Sequence, residues 1–524
     1  MLSITCYGGV GEIGGTKVLL EDGESRLFFE FGFPFKKRGK YFEEFLTPRP
    51  GAGLRDLMET GLVPPLKGIL REDLAGPDIW RKFASSPLYR ELTVDGVILT
   101  HAHVDHSGYI SFLRDDIPVY STVMTAFISK AMQDSIPPNF EREVCYVLPK
   151  GRKRGYLRSA GTYKPRPFAF VDCQALSKEA QDFWYSSPTR KKPLSSETYL
   201  CSPERIGKLP LRYFPVDHSI PGSAAFAVET SEGWVGYTGD LRFHGRSSQE
   251  TERFVEEMSR LRPRILLCEG TRLKEGRGAT EKDAFENCLE IIRKVDGLVI
   301  ADFGARNVER LVSFYRISQE TGRKLVIMGK DAYLLDAMRL ASDKVPTIDQ
   351  FPDILIYKDF KSRLSSWEAE TYRRYSDKLV TASEVREGAG EMILCFSFWD
   401  VLDLVDIAPK GGTYIYSSSE VFDEEGAMDM RRLANWIELF GMKGIGLPRE
   451  ALGWEIPEQE KGYHSSGHAC GKDLLDLVQR INPKTLIPIH TEDPGYFVNN
   501  LRGSGIEVRV PVEAETMAFS KNSD

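Results

Sequence analysis

A group of potential metal ligands lies at residues 101–108, where the sequence reads HAHVDHSG. Three histidines and one aspartate occur there within six positions, although the chain of 524 residues contains only eight histidines. Imidazole nitrogens and carboxylate oxygens are ligands that zinc, manganese and iron favour in proteins. The alternative, a polar loop with solvated histidines, needs this concentration to have arisen by chance. The pattern therefore predicts a metal-binding loop after a buried strand.

Similar side chains recur next to other predicted elements farther along the chain. They are His218, Asp240 and His490, which follow predicted strands, and His464 and His468, which precede a predicted helix. Each of them alone fits a capping or turn role as well as a catalytic one. Because strand ends meet at the edge of a sheet, their joint occurrence indicates a single site assembled from distant parts of the chain.

The secondary structure that must position these residues differs between the amino-terminal part of the chain and the part after about residue 245. Residues 1 to about 35 predict short strands, with the glycine-rich turn Gly8–Gly15 packed close to the active site. A GxGxxG match in that turn is a weak dinucleotide signal, because a strand follows it rather than a helix. Residues 36–92 are interrupted by proline and glycine, a pattern that predicts a long segment on the protein surface. From about residue 245, helices and buried strands alternate, which predicts a doubly wound parallel sheet.

Composition sets broad limits on the function class. The chain is 41% apolar and 28% charged, and it has no apolar run of the length that a membrane helix needs. The amino-terminal residues lack the pattern of a signal peptide, and the eight cysteines are scattered without a Cys-x-x-Cys pair. We therefore expect a cytoplasmic protein with reduced thiols and no membrane partner. The net charge of -7 neither indicates nor excludes nucleic-acid binding, which depends on a local basic patch.

A basic stretch with interleaved aromatic residues runs from Pro149 to Arg166, with more basic residues at 190–192. Its composition suits phosphate contacts and base stacking, and Arg152, Lys153 and Arg154 are the candidate RNA-binding residues. A solvated basic loop explains the same composition, and both interpretations stay open. In either case the stretch is expected to be irregular in structure.

The motifs taken together resemble those of a known family. HAHVDHSG at 101–108, PVDHSIPGS at 215–223, YTGD at 237–240 and IPIH at 487–490 resemble the ligand motifs of the metallo-β-lactamase fold. CEGTR at 268–272 and HSSGHA at 464–469 are similar to two motifs of the β-CASP nucleases, and the likeness is closest to ribonuclease J. Six motifs in the right order extend this resemblance over essentially the whole chain.

The resemblance implies a fold and a division into domains. The fold class would be α/β, a metallo-β-lactamase αββα sandwich with an inserted, doubly wound β-CASP domain. The sandwich would comprise residues 1–244 and 456–524, with a long basic insertion at about 140–210. The β-CASP domain would comprise residues 245–455.

The resemblance also implies roles for the candidate residues. One divalent ion, Zn²⁺ or Mn²⁺, would be held by His101, His103 and His218. The other would be held by Asp105, His106 and His490, with Asp240 bridging the two ions. Asp105 and Asp240 would then also be catalytic, because paired ions activate water and stabilise a phosphoryl transition state.

Four further residues are implied near the scissile phosphate. His468 would contact the phosphate and help to protonate the leaving oxygen, while His464 and Ser466 would line the same phosphate site. Glu269 would orient a neighbouring histidine. A strand-end carboxylate is the alternative for Glu269, and a packing or capping histidine is the alternative for His464. His244 matches no ligand position and is expected near the site only.

The chain departs from the family pattern in four places. Glu30 stands where the family usually has aspartate, at a position that supports the site. The stretch between His106 and His218 is longer than usual, and residues 396–400 replace a loop of small residues. Only 34 residues follow His490, which implies that the carboxy-terminal domain of bacterial ribonuclease J is missing. That last departure puts in doubt a homodimer that relies on the domain.

These observations predict a two-metal ribonuclease that acts on single-stranded RNA. The likeness to ribonuclease J implies 5′-to-3′ exonuclease action with some endonuclease activity, in RNA processing or decay, and His490 favours RNA over DNA by analogy. The alternatives are a DNA exonuclease or repair nuclease, a small-molecule metallo-hydrolase of the same fold, and an inactive RNA-binding subunit. The large inserted domain argues against a small substrate. The complete set of ligand positions argues against an inactive subunit.

Overall fold

The computed structural model describes residues 1–76, 78–187, 194, 199–304, 306–418 and 424–520. Three sheets account for most of its strands. The first sheet has eight strands, in the spatial order Tyr199–Cys201, Phe168–Phe170, Val119–Ser121, Gly96–Ile98, Ser25–Phe29, Lys17–Asp22, Leu2–Gly8 and Thr516–Phe519. The second sheet has seven, in the order Arg205–Ile206, Leu209–Pro215, Ala224–Thr230, Gly233–Tyr237, Ile265–Cys268, Thr485–Pro488 and Glu507–Val508.

The first two sheets pack face to face. Alternate residues of their strands, such as Ile4, Val18, Phe226 and Ile487, form one buried apolar cluster between them. Helices cover the outer faces, and they include Val123–Ser135 over the first sheet and Ser248–Leu261 and Gly471–Ile481 over the second. The four layers confirm the αββα sandwich, in which each sheet buries both faces.

The third sheet is parallel throughout. Its seven strands follow the order Leu379–Val380, Ile354–Tyr357, Lys324–Met328, Met392–Cys395, Val299–Asp302, Gly412–Tyr416 and Met442–Ile445. Helices lie on both faces, namely Glu281–Ile292, Val308–Thr321 and Gly329–Ala341 on one, and Leu404–Ile407 and Glu424–Leu439 on the other. The alternation of helix and strand in the sequence thus predicted a doubly wound sheet correctly.

The sequence placed the start of the inserted domain too early. The strand Ile265–Cys268, assigned to residues 245–455, pairs with Gly233–Tyr237 and Thr485–Pro488 in the second sheet. The helix Ser248–Leu261 packs on that same sheet. A single βαβ unit looks the same in either domain, so periodicity could not assign this one. The sandwich therefore continues to Cys268, and the other domain limits remain predictions.

Two predictions about irregular segments were wrong. Residues 36–92 do not form a surface excursion, because Leu57, Leu66 and Leu70 among others are buried in the outer core of the first sheet. Within the predicted insertion at 140–210, the strands Phe168–Phe170 and Tyr199–Cys201 extend that sheet. Proline and glycine interrupt regular structure without preventing burial, and this is why the pattern misled. Residues 188–193 and 195–198 of the insertion, with the basic residues at 190–192, lie outside the described residues.

Apolar and ionic contacts join the sandwich to the parallel-sheet domain. Met124 and Ile128 of the helix Val123–Ser135 pack in the same cluster as Leu334 and Leu335. A second contact is a buried ion network, here called the interdomain cluster, formed by Asp217, Arg242, Glu281, Glu309 and Arg310. Arg242 and Arg310 are both fully buried, and both bind Glu281, at 3.1 and 3.0 Å.

Two further features concern membrane-spanning helices and cysteines. Among the described residues, no helix combines the length and apolar character that crossing a membrane would take. All eight cysteines are free in this structure.

Candidate metal centre

The ligand candidates come from loops at the carboxyl ends of strands in the first two sheets. The strand Gly96–Ile98 leads into His101 and His103, and the short helix Val104–Ser107 then carries Asp105 and His106. The second sheet supplies His218, Asp240 and His490, each within three residues of a strand end. We call these seven residues the ligand cluster. The two sheets of the sandwich thus bring together side chains that are up to 389 positions apart.

Three histidines form the first half of the ligand cluster. His103 Nδ1 lies 3.1 Å from His101 Nε2 and 3.2 Å from His218 Nε2. His218 Nδ1 donates to the carbonyl of Gly467 at 2.5 Å, so its Nε2 is the free acceptor that faces His103. Burial, reinforced by the neighbouring histidines, holds the pKa of all three imidazoles below the usual value. A neutral imidazole is the form that binds a metal ion.

Asp105, His106, Asp240 and His490 form the second half. His106 Nε2 lies 2.9 Å from Asp240 Oδ2 and 3.4 Å from Asp105 Oδ2, while His490 Nε2 lies 3.8 Å from Asp105 Oδ2. The same Asp240 oxygen is 3.7 Å from His101 Nε2 in the first half. Asp240 therefore stands between the two halves, at the position a bridging ligand would take.

Three buried polar atoms of this half lack hydrogen-bond partners. His106 Nε2, His490 Nε2 and Asp240 Oδ1 are shielded from solvent and make no hydrogen bond. Unpaired buried polar groups are costly, and a metal ion would satisfy all three. The nitrogen and carboxylate donor set, gathered within 4.8 Å in each half, fits two divalent ions.

Glu30 fixes the orientation of His106. Its Oε2 lies 2.6 Å from His106 Nδ1, and it also accepts hydrogen bonds from the Tyr237 hydroxyl at 2.7 Å and, through Oε1, from Thr100 Oγ1. Burial opposes charge on His106, but the carboxylates of Asp240, Glu30 and Asp105 outweigh it and raise the pKa of this imidazole. Glu30 thus takes the supporting role expected of it, turning the Nε2 atom of His106 toward the centre.

The glycine-rich turn at residues 8–15 contacts the ring of His490. The Gly14 N–H donates to His490 Nδ1 at 3.3 Å, and Thr16 Oγ1 lies at the same distance. Gly14 has a φ of +82°, and a Cβ at this position would lie 2.9 Å from the Cβ of Asp105. Only glycine accommodates both this backbone conformation and this close approach. The turn therefore packs against the ligand cluster, as the sequence predicted, rather than opening a helix as a dinucleotide loop would.

His468 and Glu269 lie beside the ligand cluster. His468 Nδ1 is 3.1 Å from Glu269 Oε2 and 3.9 Å from Asp240 Oδ2. Glu269 is held in turn by the Leu241 N–H at 2.9 Å and the Thr271 hydroxyl at 2.7 Å. Burial opposes charge on His468, but Glu269 and Asp240 raise its pKa to about 9. A protonated imidazole, oriented by a fixed carboxylate, is suited to bind a phosphate oxygen or to donate a proton.

Comparison with known proteins agrees with this geometry. Residues 459–511 match the family described as the Zn-dependent metallo-hydrolase RNA specificity domain. Ribonuclease J of Mycobacterium tuberculosis is 24% identical over 498 residues, which cover 93% of this chain and 68% of the relative. Ribonuclease J of Pyrococcus abyssi is 21% identical over 416 residues, covering 77% and 75%. The chain is thus similar to ribonuclease J over most of its length.

A solved structure supports the fold over the full length. The crystal structure of a protein of unknown function from Enterococcus faecalis V583 superposes with a TM-score of 0.64 at 20% identity. The match covers 99% of this chain and 100% of that one. At this level of identity the likeness concerns the fold alone.

The ribonuclease J-like site differs from expectation at His464. Its Nδ1 lies 2.7 Å from the carbonyl oxygen of Ser418, and its Nε2 lies 2.8 Å from that of Gly446. Both ring nitrogens are therefore engaged with backbone acceptors, which favours the packing role left open in the sequence. Ser466 is closer to the chemistry, since its Oγ accepts from the His468 N–H at 3.1 Å. His244 is near the site, as expected, and contacts the Ser466 carbonyl oxygen at 2.9 Å.

The three basic candidates form a hairpin rather than a loop. The strand Lys150–Lys153 pairs with Tyr156–Ser159, and we call this element the basic hairpin. Arg152 donates to the carbonyls of Gly155 and Leu74, on the segment at 50–76 that covers the first sheet. Among the described contacts, none joins Arg152, Lys153 or Arg154 to the ligand cluster. The prediction of an irregular loop was wrong, because alternation in a short polar strand leaves no apolar pattern to detect.

The sequence reasoning missed Arg306. This residue follows the strand Val299–Asp302 of the third sheet, and its Nη1 donates to the Ala102 carbonyl at 3.3 Å, between His101 and His103. Its charge acts on both His103 and Asp105. No carboxylate in the described part of the chain lies within ion-pair distance of it. The only signal in the sequence was a single arginine after a predicted strand, which is too common to select.

Proposed function

We propose that this protein is a metal-dependent ribonuclease that hydrolyses phosphodiester bonds of single-stranded RNA. The observation that carries this proposal is the ligand cluster, with Asp240 between its two halves and His468 beside it. The match of residues 459–511 to an RNA specificity domain supports RNA as the substrate, because that segment contains both His468 and His490. The ribonuclease J relatives support a role in RNA processing or decay.

The ligand cluster would hold two divalent ions, zinc or manganese. His101, His103 and His218 would bind the first ion. Asp105, His106 and His490 would bind the second, and Asp240 would contact both. When bound, the two ions supply Lewis-acid stabilisation of the phosphate and activation of water.

The remaining residues would position the substrate and move the proton. His468, held in its charged form by Glu269, would donate a hydrogen bond to a phosphate oxygen and then a proton to the leaving oxygen. Arg306 would bind another phosphate oxygen from the parallel-sheet side of the cleft. The phosphate would thus be held between groups from the two domains. Exonuclease action in the 5′-to-3′ direction, a cytoplasmic location and a homodimer stay predictions from the sequence.

A cleavage assay with labelled oligonucleotides tests this proposal. Protein loaded with zinc or manganese would be incubated with single-stranded RNA and DNA of one sequence, labelled at either end and carrying a 5′-monophosphate or a 5′-triphosphate. We expect RNA alone to be cut, with labelled mononucleotide released first from 5′-monophosphorylated RNA. Internal fragments that do not depend on the 5′ end would replace the exonuclease mode by an endonuclease one. Cleavage of DNA alone, or of neither substrate, would overturn the proposal.

The Asp240→Asn variant is the matched control for that assay. It keeps the size of the side chain and removes the charge between the two halves of the cluster. A protein with this change should carry less metal by elemental analysis and cut no RNA. Cleavage that persists in this variant would identify a contaminating nuclease.

A further inference from the structure

Cys173 and Cys201 form a pair of thiols outside the ligand cluster. Their Sγ atoms lie 3.1 Å apart, although the two residues are 28 positions apart in the sequence. Both side chains are partly exposed, whereas the other six cysteines are buried. Two thiols that touch each other, and that a reagent can reach from solvent, are the requirements for a bond between them.

The backbone holds the two residues side by side. Cys201 ends the edge strand of the first sheet and stands opposite Phe170 on the neighbouring strand. The Ser202 N–H donates to the Phe170 carbonyl at 2.8 Å, and Ser202 Oγ donates to the Cys173 carbonyl at 2.7 Å. These hydrogen bonds fix the main chain on both sides of the pair. The two sulfurs therefore need only a small side-chain rotation to meet in bonding geometry.

The segment between the two cysteines contacts both domains. Phe183 belongs to the helix Lys178–Trp184 of this segment, and its ring centre lies 5.1 Å from that of Phe127 in the sandwich. The same ring lies 6.2 Å from that of Tyr333 in the parallel-sheet domain. A bond between the two thiols would therefore fix the base of a segment that connects the domains.

We propose that Cys173 and Cys201 are a site of reversible oxidation, at which hydrogen peroxide converts the two thiols into a disulfide. This inference does not depend on the proposed function, because neither sulfur contacts the ligand cluster in the described structure. Disulfides that form in a reducing compartment are usually transient and act in catalysis or redox sensing. Oxidation would act here on the connection between the domains.

The reaction uses both thiols and one molecule of peroxide. Burial, the neighbouring Cys201 thiol and Asp172 raise the pKa of the Cys173 thiol, so Cys173 stays protonated at neutral pH and reacts second. Cys201 Sγ first attacks a peroxide oxygen, the O–O bond breaks, and a sulfenic acid forms as one water leaves. Cys173 Sγ then attacks that sulfur, the S–S bond forms, the S–O bond breaks, and a second water carries away the remaining thiol proton. Two electrons pass from the thiols to the peroxide, and a dithiol reductant reverses the oxidation by exchange.

Mass spectrometry of the full chain tests the inference directly. The metal-loaded protein would be treated with hydrogen peroxide, quenched with catalase, unfolded and labelled at its remaining thiols with N-ethylmaleimide. We expect six labelled cysteines of the eight, and one cross-linked peptide pair that contains Cys173 and Cys201. Treatment with a dithiol before labelling should restore all eight labels.

Three variants separate the roles of the thiols. In Cys173→Ser the oxidised Cys201 has no partner, so dimedone should label it as a sulfenic acid. In Cys201→Ser the labelling of Cys173 should be about tenfold slower, because its thiol stays protonated. Cys288→Ala removes a buried cysteine of the parallel-sheet domain and is the matched control. It should form the disulfide at the wild-type rate.

Hydrogen exchange measures what the bond does to the fold. The disulfide would keep the strands Phe168–Phe170 and Tyr199–Cys201 from separating. Their amides should therefore exchange about tenfold more slowly in the oxidised protein than in the reduced one. The Cys173→Ser variant should show no such difference after the same treatment.

Three results would overturn the inference. One is that Cys173 and Cys201 both keep their thiols after peroxide has oxidised buried cysteines. Another is a disulfide that links Cys201 to a second copy of the chain instead of to Cys173. The third is a zinc ion that both thiols hold and that protects them from peroxide, because the pair would then be a metal site.

Discussion

The ligand cluster and the basic hairpin differ in how the fold holds their side chains. In the cluster, backbone or carboxylate partners orient the imidazoles of His106, His218 and His490, and their remaining nitrogens converge. In the hairpin, Lys153 and Arg154 are exposed, and Arg152 alone is tied to backbone carbonyls. Chemistry at a metal requires fixed geometry, whereas attraction of a polyanion requires only charge. The contrast separates residues that should control cleavage from residues that should control only encounter.

The largest effect is expected from Asp105→Asn in the cluster. The change removes a carboxylate from the second half while keeping the shape of the side chain. Cleavage should be abolished, and elemental analysis should find less metal per chain. Thermal unfolding should show that the protein still folds. Full activity at the wild-type metal content would refute the role assigned to this half.

The second-largest effect on cleavage is expected from Arg306→Ala. It removes a donor that reaches the cluster from the other domain. Loss of one group that stabilises transition-state charge typically costs about a hundredfold in kcat. Metal content should stay unchanged, and Arg306→Lys should recover part of the loss. A variant with wild-type kcat would show that Arg306 merely joins the domains.

Glu30→Gln tests whether Glu30 orients His106 for metal binding. The amide can still contact His106 but no longer carries the charge that favours the required ring orientation. Changes of this kind typically weaken metal affinity by about 10–100-fold. Titration with a competing chelator would measure the loss, and excess metal should restore cleavage. Cleavage that excess metal fails to restore would place Glu30 directly in the chemistry.

The smallest effect is expected from joint replacement of Arg152, Lys153 and Arg154 by glutamine. Because the hairpin has no described contact with the cluster, short oligonucleotides should be cut at the wild-type rate and metal content should be unchanged. Binding of longer RNA should weaken, with a flatter dependence on salt concentration. Unchanged binding of long RNA would mean that the hairpin is solvated surface. A lower rate on short RNA would remove the contrast between the two regions.

Sequence reasoning predicted the ligand cluster better than the segments around it. Imidazole and carboxylate side chains at strand ends can be recognised as possible metal ligands from their residue type alone. The fold brings all seven of the predicted ligands together. The buried segment at 36–92 was missed because its leucines follow neither a helical nor a strand period. Arg306 was not selected as a candidate for a different reason. Its position beside His103 depends on how the two domains meet in three dimensions, and no spacing in the chain records that.

The interdomain cluster has a mechanical consequence. Separating the two domains would take Arg242 away from Glu281 and Glu309, which belong to the parallel-sheet domain, and breaking such a buried pair typically costs about 3–5 kcal/mol. Hinge opening is therefore an expensive way to admit a strand. We therefore expect a single strand to enter the cleft lengthwise while the two domains stay joined. Paired regions of an RNA would halt at its rim until something else unwinds them.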